Sequence, residues 1–117
     1  MSATRLRDLR SLAVGVAILL TIASCSAPEA RVVELVVPAG TNARLVAGDT
    51  VDILPRELTF RVGDTLRIRN DDSVAQEVGP YFVAAGVEFE VTYGMPGRFE
   101  GVCPLSGGEP YVIVITD

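Results

Sequence analysis

Hydrophobic and polar side chains alternate along most of the chain that follows residue 30. The segment "ELTFRV" (57–62) places Phe60 and Val62 on one face and polar residues on the other. The segments "TLRIRN" (65–70) and "EFEVTY" (88–93) repeat this alternation. A period of two over five or six residues is typical of a strand that buries one face. The pattern therefore predicts three half-buried strands.

Three further segments also favour strands. "RVVELVV" (31–37) is rich in β-branched residues, and "RFEGVC" (98–103) puts Phe99 and Cys103 on the inward face. "YVIVIT" (111–116) is apolar on both faces, which predicts a strand in the middle of a sheet.

Turn signals separate these strands, and no helix is predicted after residue 24. "PAGTN" (38–42) is a turn cluster, and Gly63-Asp64 is a two-residue turn signal between two strands. No segment in this part of the chain sustains a period of 3.6 residues. Several short strands between Gly and Pro turns predict an all-β sandwich or barrel.

The first 24 residues have the pattern of a signal peptide. Arg5, Arg7 and Arg10 precede an apolar run at 12–23. This run is too short to span a bilayer, which needs about 20 residues. A basic start before a short apolar core is typical of secretion signals.

The signal ends in "IASC" (22–25), which resembles the lipobox of bacterial lipoproteins. In that family the cysteine is acylated and becomes the first residue of the mature protein. The resemblance implies a signal peptide at 1–24, a lipidated tether at 25–31 and a domain at 32–117. The protein would then be exported and anchored through Cys25 to the cell membrane, facing the extracytoplasmic side. An ordinary signal peptide with an unmodified cysteine is the alternative.

The composition of the exported part limits its partners. Seven of the ten basic residues and 14 of the 15 acidic residues follow residue 24, a formal net charge of −7. The chain has neither Lys nor His. No nucleic-acid partner is expected, because phosphate binding needs a basic surface. If Cys25 is acylated, Cys103 is the one free thiol, so no intrachain disulfide can form.

The order of the motifs resembles that of the cupredoxins over residues 31–117. "ELTFRVGDTLRIRNDD" is similar to the family's strand, Gly-Asp turn and second strand with its closing Asn. "NDDSVAQEVGP" stands where the family carries the loop with its first His ligand, and "AAGVEFEVTYGMPGRFEGVC" is similar to the segment that leads to its Cys ligand. The resemblance implies a Greek-key β-sandwich of the cupredoxin type. It also implies a copper site of two His, one Cys and a weak axial Met.

Carried over by position, the resemblance assigns residues of this chain to the parts of that site. Cys103 matches the thiolate ligand and Gln76 the first His. Ser106 matches the second His at the family's shortest spacing, and Gly107 or Gly108 matches it at longer spacings. Asn70 matches the Asn that ties the ligand loops together. Because both imidazoles are missing, a blue copper site cannot form from these side chains. Met95 would lie about 20–25 Å from Cys103 along an extended strand, so it is interpreted as a turn or packing residue.

Cys103 has two interpretations. Free Cys is among the most buried residue types, and this favours an inert core residue. The alternative is a soft-metal or redox thiol with Gln76 and Glu109 as oxygen donors. The neighbouring pair Asp71-Asp72 is interpreted as a solvated turn.

No catalytic motif is present, so an enzyme is not expected. Catalytic triads that need His are excluded, and there is no phosphate-binding Gly loop. The sequence predicts a lipoprotein whose domain binds an envelope protein at the former copper end, without a cofactor. The alternative is an electron carrier that binds copper, or is redox-linked, through Cys103 and ligands other than His.

Overall fold

The computed structural model describes residues 29–117, which form eight strands and one short helix. The predicted signal peptide, Cys25 and the first part of the predicted tether lie outside the described residues. The elements, in chain order, are β1 (Val32–Val37), α1 (Thr41–Val46), β2 (Glu57–Arg61), β3 (Thr65–Asn70), β4 (Gln76–Val78), β5 (Tyr81–Val83), β6 (Glu88–Thr92), β7 (Gly97–Val102) and β8 (Pro110–Thr116). All six predicted strands are present, and their ends differ from the predicted ends by one residue at most.

Six of the strands form two three-stranded sheets, and the other two form a hairpin. One sheet has the order β1–β3–β6 and the second β2–β8–β7, while β4 pairs with β5. In each sheet the central strand has one parallel and one antiparallel neighbour. Parallel neighbours need crossover connections, so the chain passes between the sheets instead of folding back on itself. The predicted all-β sandwich is confirmed.

The core lies between the two three-stranded sheets. As its apolar pattern predicts, β8 is a central strand, with Tyr111, Ile113 and Ile115 buried. Phe60 on β2 and Ile68 on β3 belong to the same core and are fully buried. Burial of a large apolar side chain contributes about 1.5–3 kcal/mol, so such residues supply most of the stability.

The strand ends define two poles of the sandwich. The tether pole contains residues 29–31 and the Gly63-Asp64 turn, and Tyr93 bonds to this turn through its backbone. The Cys103 pole contains the loop after β3 and the loops 51–56 and 103–109. These last two loops are joined by bonds from the N–H groups of Ile53 and Leu54 to the Leu105 carbonyl, at 2.8 and 2.9 Å.

The Gly63-Asp64 turn is where the sequence predicts it, but it does not close a hairpin. The strands on either side, β2 and β3, belong to different sheets. The Asp64 carboxylate accepts hydrogen bonds from the backbone N–H groups of Arg61 (2.7 Å) and Arg31 (2.8 Å). These bonds favour the ionised form and lower the pKa of Asp64. The buried Asp64 carboxylate therefore holds together the turn that joins the two sheets and the segment that leads into β1.

The sequence predicts no helix after residue 24, and this prediction is wrong for residues 41–46, which form α1. Six residues give too few turns for a 3.6-residue period to be visible. No side chain of the helix caps its own start at Gly40. The Asp72 carboxylate instead accepts the N–H groups of Gly40 (3.1 Å) and Asn42 (2.8 Å). No helix among residues 29–117 has the length and apolarity needed to cross a membrane.

Two predicted inward residues are more exposed than expected. Val62 is 40% exposed because it lies in the turn directly after β2. Its backbone N–H donates a hydrogen bond to the Thr116 carbonyl. Phe99 is 39% exposed because β7 is an edge strand with an open side. Alternation thus predicts which way a side chain faces, but not whether another layer covers it.

Candidate functional site

The structure places the residues of the predicted site at the Cys103 pole, and most of them are buried. β3 ends at Asn70, β4 begins at Gln76, and Cys103 directly follows β7. The exposed fractions are 0% for Asn70, 6% for Gln76, 2% for Cys103 and 1% for Ser106. Their hydrogen bonds divide them into two groups, one around Asn70 and one around Cys103.

Asn70 holds two loops together through its side chain and its backbone. Its Nδ2 lies 3.0–3.2 Å from the carbonyl oxygens of Val74, Val83 and Ala84. Its backbone N–H donates to the Val87 carbonyl at 3.0 Å. The loop after β3 is thus fastened to the segment after β5. The resemblance implies that Asn70 also bonds to the loop that contains Cys103. None of the hydrogen bonds of Asn70 within residues 29–117 reaches that loop.

Gln76 and Asp72 form a buried polar pair beside Asn70. The Gln76 Nε2 donates to Asp72 Oδ2 at 2.9 Å, and the Asp72 N–H donates to the Asn70 side-chain oxygen at 3.0 Å. Asp72 is 4% exposed, so the interpretation of this residue as part of a solvated turn is wrong. The N–H of Asn42 on α1 is the main cause that lowers the pKa of Asp72, and the Gln76 amide adds to it. Gln76 therefore helps to hold a carboxylate against the start of α1.

Ser106 closes the turn that follows Cys103. Its Oγ lies 2.8 Å from the Cys103 carbonyl oxygen and 2.6 Å from the Glu109 carbonyl oxygen, and it accepts the Cys103 N–H at 3.3 Å. The backbone N–H of Ser106 also donates to the Cys103 carbonyl at 3.1 Å. A small hydroxyl fits this place because it can donate to one of the two carbonyls while it accepts the Cys103 N–H within the same turn. Ser106 has a structural role in the turn.

Glu109 belongs to this turn through its backbone, while its side chain points to solvent. The carboxylate lies 3.9 Å from the Arg56 guanidinium, and its side chain is 53% exposed. Exposed ion pairs of this kind contribute little to stability. The structure therefore places the Glu109 carboxylate in a different environment from the buried Cys103 sulfur.

Tyr111 is a buried residue of β8 close to Cys103. Burial is the main cause that raises the pKa of its phenol, and negative charge on Cys103 or on Glu77 would raise this pKa further. The Tyr111 ring fits there because Gly101, directly opposite it on β7, has no side chain. A Cβ at position 101 would lie 3.2 Å from the Tyr111 hydroxyl oxygen. The phenol is therefore neutral and fills the space under the Cys103 turn.

The side chains at this pole do not fit a copper ion. Soft metal sites of this kind need thiolate and imidazole donors together, and the chain has no His. The Gln76 amide nitrogen is bonded to Asp72, and the Ser106 hydroxyl is bonded to backbone carbonyls. No three His, Cys, Asp or Glu side chains between residues 29 and 117 are grouped so that they could hold a metal ion.

Three exposed valines lie at the same pole as the buried polar groups. Val74 and Val87 are 40% and 45% exposed, and both are held by hydrogen bonds from Asn70 to their carbonyls. Val102, the residue before Cys103, is 61% exposed. We call these three valines the apolar rim. Sequence reasoning missed them, because Val74 and Val87 lie in loops and Val102 is the last residue of β7, and single valines at such positions carry no periodic signal.

Three other residues lie away from the buried groups, and one of them, Met95, is singled out in the sequence. Met95 is 74% exposed in the turn before β7, at the tether pole, so it is a turn residue and does not pack in the core. The two aromatic residues of β5 differ in exposure: Tyr81 packs on Phe89 and bonds to the Tyr93 hydroxyl, while Phe82 is 74% exposed.

Comparisons with known proteins return structural matches alone. No protein-family model and no curated protein matches the chain. A purple cupredoxin from Nitrosopumilus maritimus is 22% identical, with a TM-score of 0.42 over 75% of this chain and 100% of that chain. A Cu(I) amicyanin variant is 17% identical, with a TM-score of 0.40 over 77% of this chain and 85% of that one. A copper-containing nitrite reductase from Thermus scotoductus SA-01 is 13% identical, with a TM-score of 0.36 over 74% of this chain and 28% of that one.

Proposed function

We propose that the protein is a lipoprotein of the bacterial cell envelope whose cupredoxin-like domain binds a protein partner at the Cys103 pole and has no catalytic activity. One observation carries the proposal. The side chains in the copper-ligand positions are buried, and those of Gln76 and Ser106 are bonded within the protein, while the valines of the apolar rim at the same pole are exposed. Such a surface offers apolar contact instead of metal chemistry.

The attachment of the chain to the tether pole supports this orientation. The Arg31 N–H is bonded to Asp64, and its guanidinium lies 5.5 Å from the centre of the Phe60 ring. An acylated Cys25 would therefore be linked to the domain at the pole opposite the apolar rim. The residues between Cys25 and Arg31 span at most about 20 Å at 3.3–3.6 Å per residue. The apolar rim would face away from the membrane, where a partner can reach it.

Site-specific photo-crosslinking in cells tests the binding surface. A photoreactive amino acid replaces Val74, Val87 or Val102 in turn, and Met95 at the tether pole is the control because it is more exposed than any of the three. We expect one discrete crosslinked product at the rim positions and none at position 95. Equal crosslinking at all four positions, or crosslinking at position 95 alone, would contradict the proposal.

The membrane anchor is tested separately. Mass spectrometry of the membrane fraction should show an acylated Cys25 at the N-terminus, and Cys25→Ser should release the protein from this fraction. Two or three acyl chains hold a protein stably, whereas one holds it weakly. A protein that is cleaved at another residue and carries no lipid would disprove the anchor but leave the binding surface open to its own test.

Copper titration separates the proposal from the carrier alternative. We expect that adding Cu(II) to the purified protein gives no intense visible band from thiolate-to-copper charge transfer. The physical reason is that the Cys103 sulfur is buried and has no imidazole beside it. A strong band that disappears in Cys103→Ser would favour the electron carrier.

A further inference from the structure

The strand β7 is an edge strand that is open on its outer side. In the sheet β2–β8–β7 it pairs with β8, and no other strand of residues 29–117 pairs with it. Five of its six residues are exposed, including Phe99 and Val102. An edge strand presents a row of unpaired N–H and C=O groups, which can pair with another strand.

The pairing with β8 indicates which backbone groups of β7 point outward. Antiparallel neighbours alternate between residue pairs that exchange two hydrogen bonds and pairs that exchange none. Val102 lies opposite Pro110, which has no N–H and so cannot take part in an exchanging pair. The exchanging pairs are then Gly101 with Tyr111 and, two residues earlier, Phe99 with Ile113. The free N–H and C=O groups on the outer side therefore belong to Arg98, Glu100 and Val102.

We propose that two copies of this chain associate through β7, as antiparallel neighbours around a two-fold axis at Phe99. This inference concerns the flank of the sandwich and goes beyond the binding surface at the Cys103 pole. With the axis at this position, the two Phe99 residues lie opposite each other as a non-exchanging pair. Arg98 of each copy lies opposite Glu100 of the other copy, and these two residues exchange two backbone hydrogen bonds. These pairs use the outward backbone groups and join the two sheets into one of six strands.

The charges on β7 select this register. Within one chain, Arg98 Nε lies 3.3 Å from Glu100 Oε2, and both side chains are more than 60% exposed. In the proposed register each Arg98 faces Glu100 of the other copy, so four charges of alternating sign lie on the outer face. A shift of two residues in either direction places Arg98 against Arg98, or Glu100 against Glu100. Like charges directly opposite each other are destabilising, so the strand is complementary to itself in one register.

The inner face of the flank also suits a second copy. Phe99 faces inward, packs 6.4 Å from the Tyr81 ring and remains 39% exposed where the sandwich is open. Across the axis it would meet Phe99 of the second copy, and the two rings would cover each other. Gly97 and Gly101, on the same face, leave room for this approach. An isologous contact of this kind closes as a dimer and does not grow into a fibre.

Charge reversal tests the register with the full chain in detergent micelles, by sedimentation equilibrium over a dilution series. We expect a dimer for the unmodified protein. Arg98→Glu or Glu100→Arg alone should raise the dissociation constant about tenfold or more, because both cross-strand pairs then carry like charges. The double variant, which carries both changes, restores opposite charges and should restore the dimer. Both side chains are exposed, so an unchanged melting temperature verifies that each variant is folded.

Disulfide formation tests the axis. A non-exchanging antiparallel pair has Cα atoms about 4.5 Å apart, within the range that a disulfide bridges. Phe99→Cys should therefore give a disulfide-linked dimer in membranes under mild oxidation. Val46→Cys is the control, since that position is 80% exposed on α1. The proposal is overturned if the unmodified protein is monomeric at every dilution, if single charge reversal leaves the dimer intact, or if positions 46 and 99 link equally.

Discussion

At the residue scale, two side chains of the predicted copper-ligand set have other roles in the structure. Gln76 and Ser106 are the residues that the resemblance matches to the two His ligands, and each has a structural role in the folded protein. The first holds Asp72, and the second closes the turn after Cys103. The Gln76 amide nitrogen is bonded to Asp72 and the Ser106 hydroxyl is bonded within its own turn, so both side chains stabilise the loops of this pole.

Asp72 is expected to be the most important carboxylate for stability at this pole. Asp72→Ala leaves the N–H groups of Gly40, Asn42 and Ser73 and the Gln76 amide without their acceptor. Loss of an N-cap acceptor alone should lower the melting temperature by roughly 4–8 °C in a domain of this size. The adjacent Asp71 is a matched control, because it makes only a surface ion pair with Arg69. Circular dichroism melts that fall equally for both variants would contradict this role.

Cys103 should be unreactive in the folded protein. It is 2% exposed, and access limits thiol chemistry as much as ionisation does. In a disulfide-exchange assay, we expect Val102→Cys to show one rapidly reacting thiol more than the unmodified protein, since position 102 is 61% exposed. Cys103 itself should react only after unfolding in denaturant. A fast reaction of Cys103 in the native protein would show that the pole opens.

At the element scale, the tight turns between strands place strict demands on the sequence. The β4–β5 hairpin turns at Gly79, where φ is +60°. A Cβ there would lie 3.3 Å from a Leu54 methyl and 3.5 Å from the Tyr111 ring. Glycine is required at this turn by its backbone conformation and by the close approach of the core.

Gly79→Ala should therefore destabilise the domain by about 1–3 kcal/mol. The left-handed conformation costs an L-residue about 1–2 kcal/mol, and overpacking adds to that. Gly94→Ala is the control, because position 94 lies in open space and its φ is not positive. Urea unfolding of both variants measures the difference. A variant at position 79 that is as stable as the control would mean that the hairpin shifts to make room.

At the scale of the whole molecule, two buried carboxylates make stability depend on pH. Asp64 fixes the corner at the tether pole, and Asp72 fixes α1 at the Cys103 pole. Backbone N–H groups are the largest cause that lowers each pKa in the folded state. A depressed pKa contributes stability above the pKa of the unfolded chain, near 4, and this contribution is lost as the pH falls through the folded-state values.

We expect the free energy of unfolding to be constant from pH 7 to about pH 5 and to fall steadily below about pH 4. Urea titrations at several pH values measure this dependence. Asp64→Asn and Asp72→Asn should each remove part of the slope. Because the two residues lie at opposite poles, their effects should add in the double variant. A slope that survives in the double variant would assign the pH dependence to other carboxylates.

The sequence by itself determined six of the eight strands and their order, but it did not predict the short strands β4 and β5. Alternation at 57–62, 65–70 and 88–93 requires that one face be buried, and the apolar segment 111–116 requires cover on both faces. Each requirement is local, so it can be predicted from the residues themselves. The resemblance of the motifs also led to Asn70, Gln76, Cys103 and Ser106, which do lie at one pole.

Only the tertiary structure decided what these residues do. The helix α1 is too short to show a period, and it begins where Asp72, thirty residues later in the chain, supplies the acceptor for Asn42. The burial of Asp72, the exposure of Phe99 and the open edge of β7 depend on which strands become neighbours. Those neighbours are brought together by parallel crossovers between the sheets. Contacts between distant parts of the chain leave no signal in any short segment, so a sequence pattern predicts the strands but not the contacts at their ends.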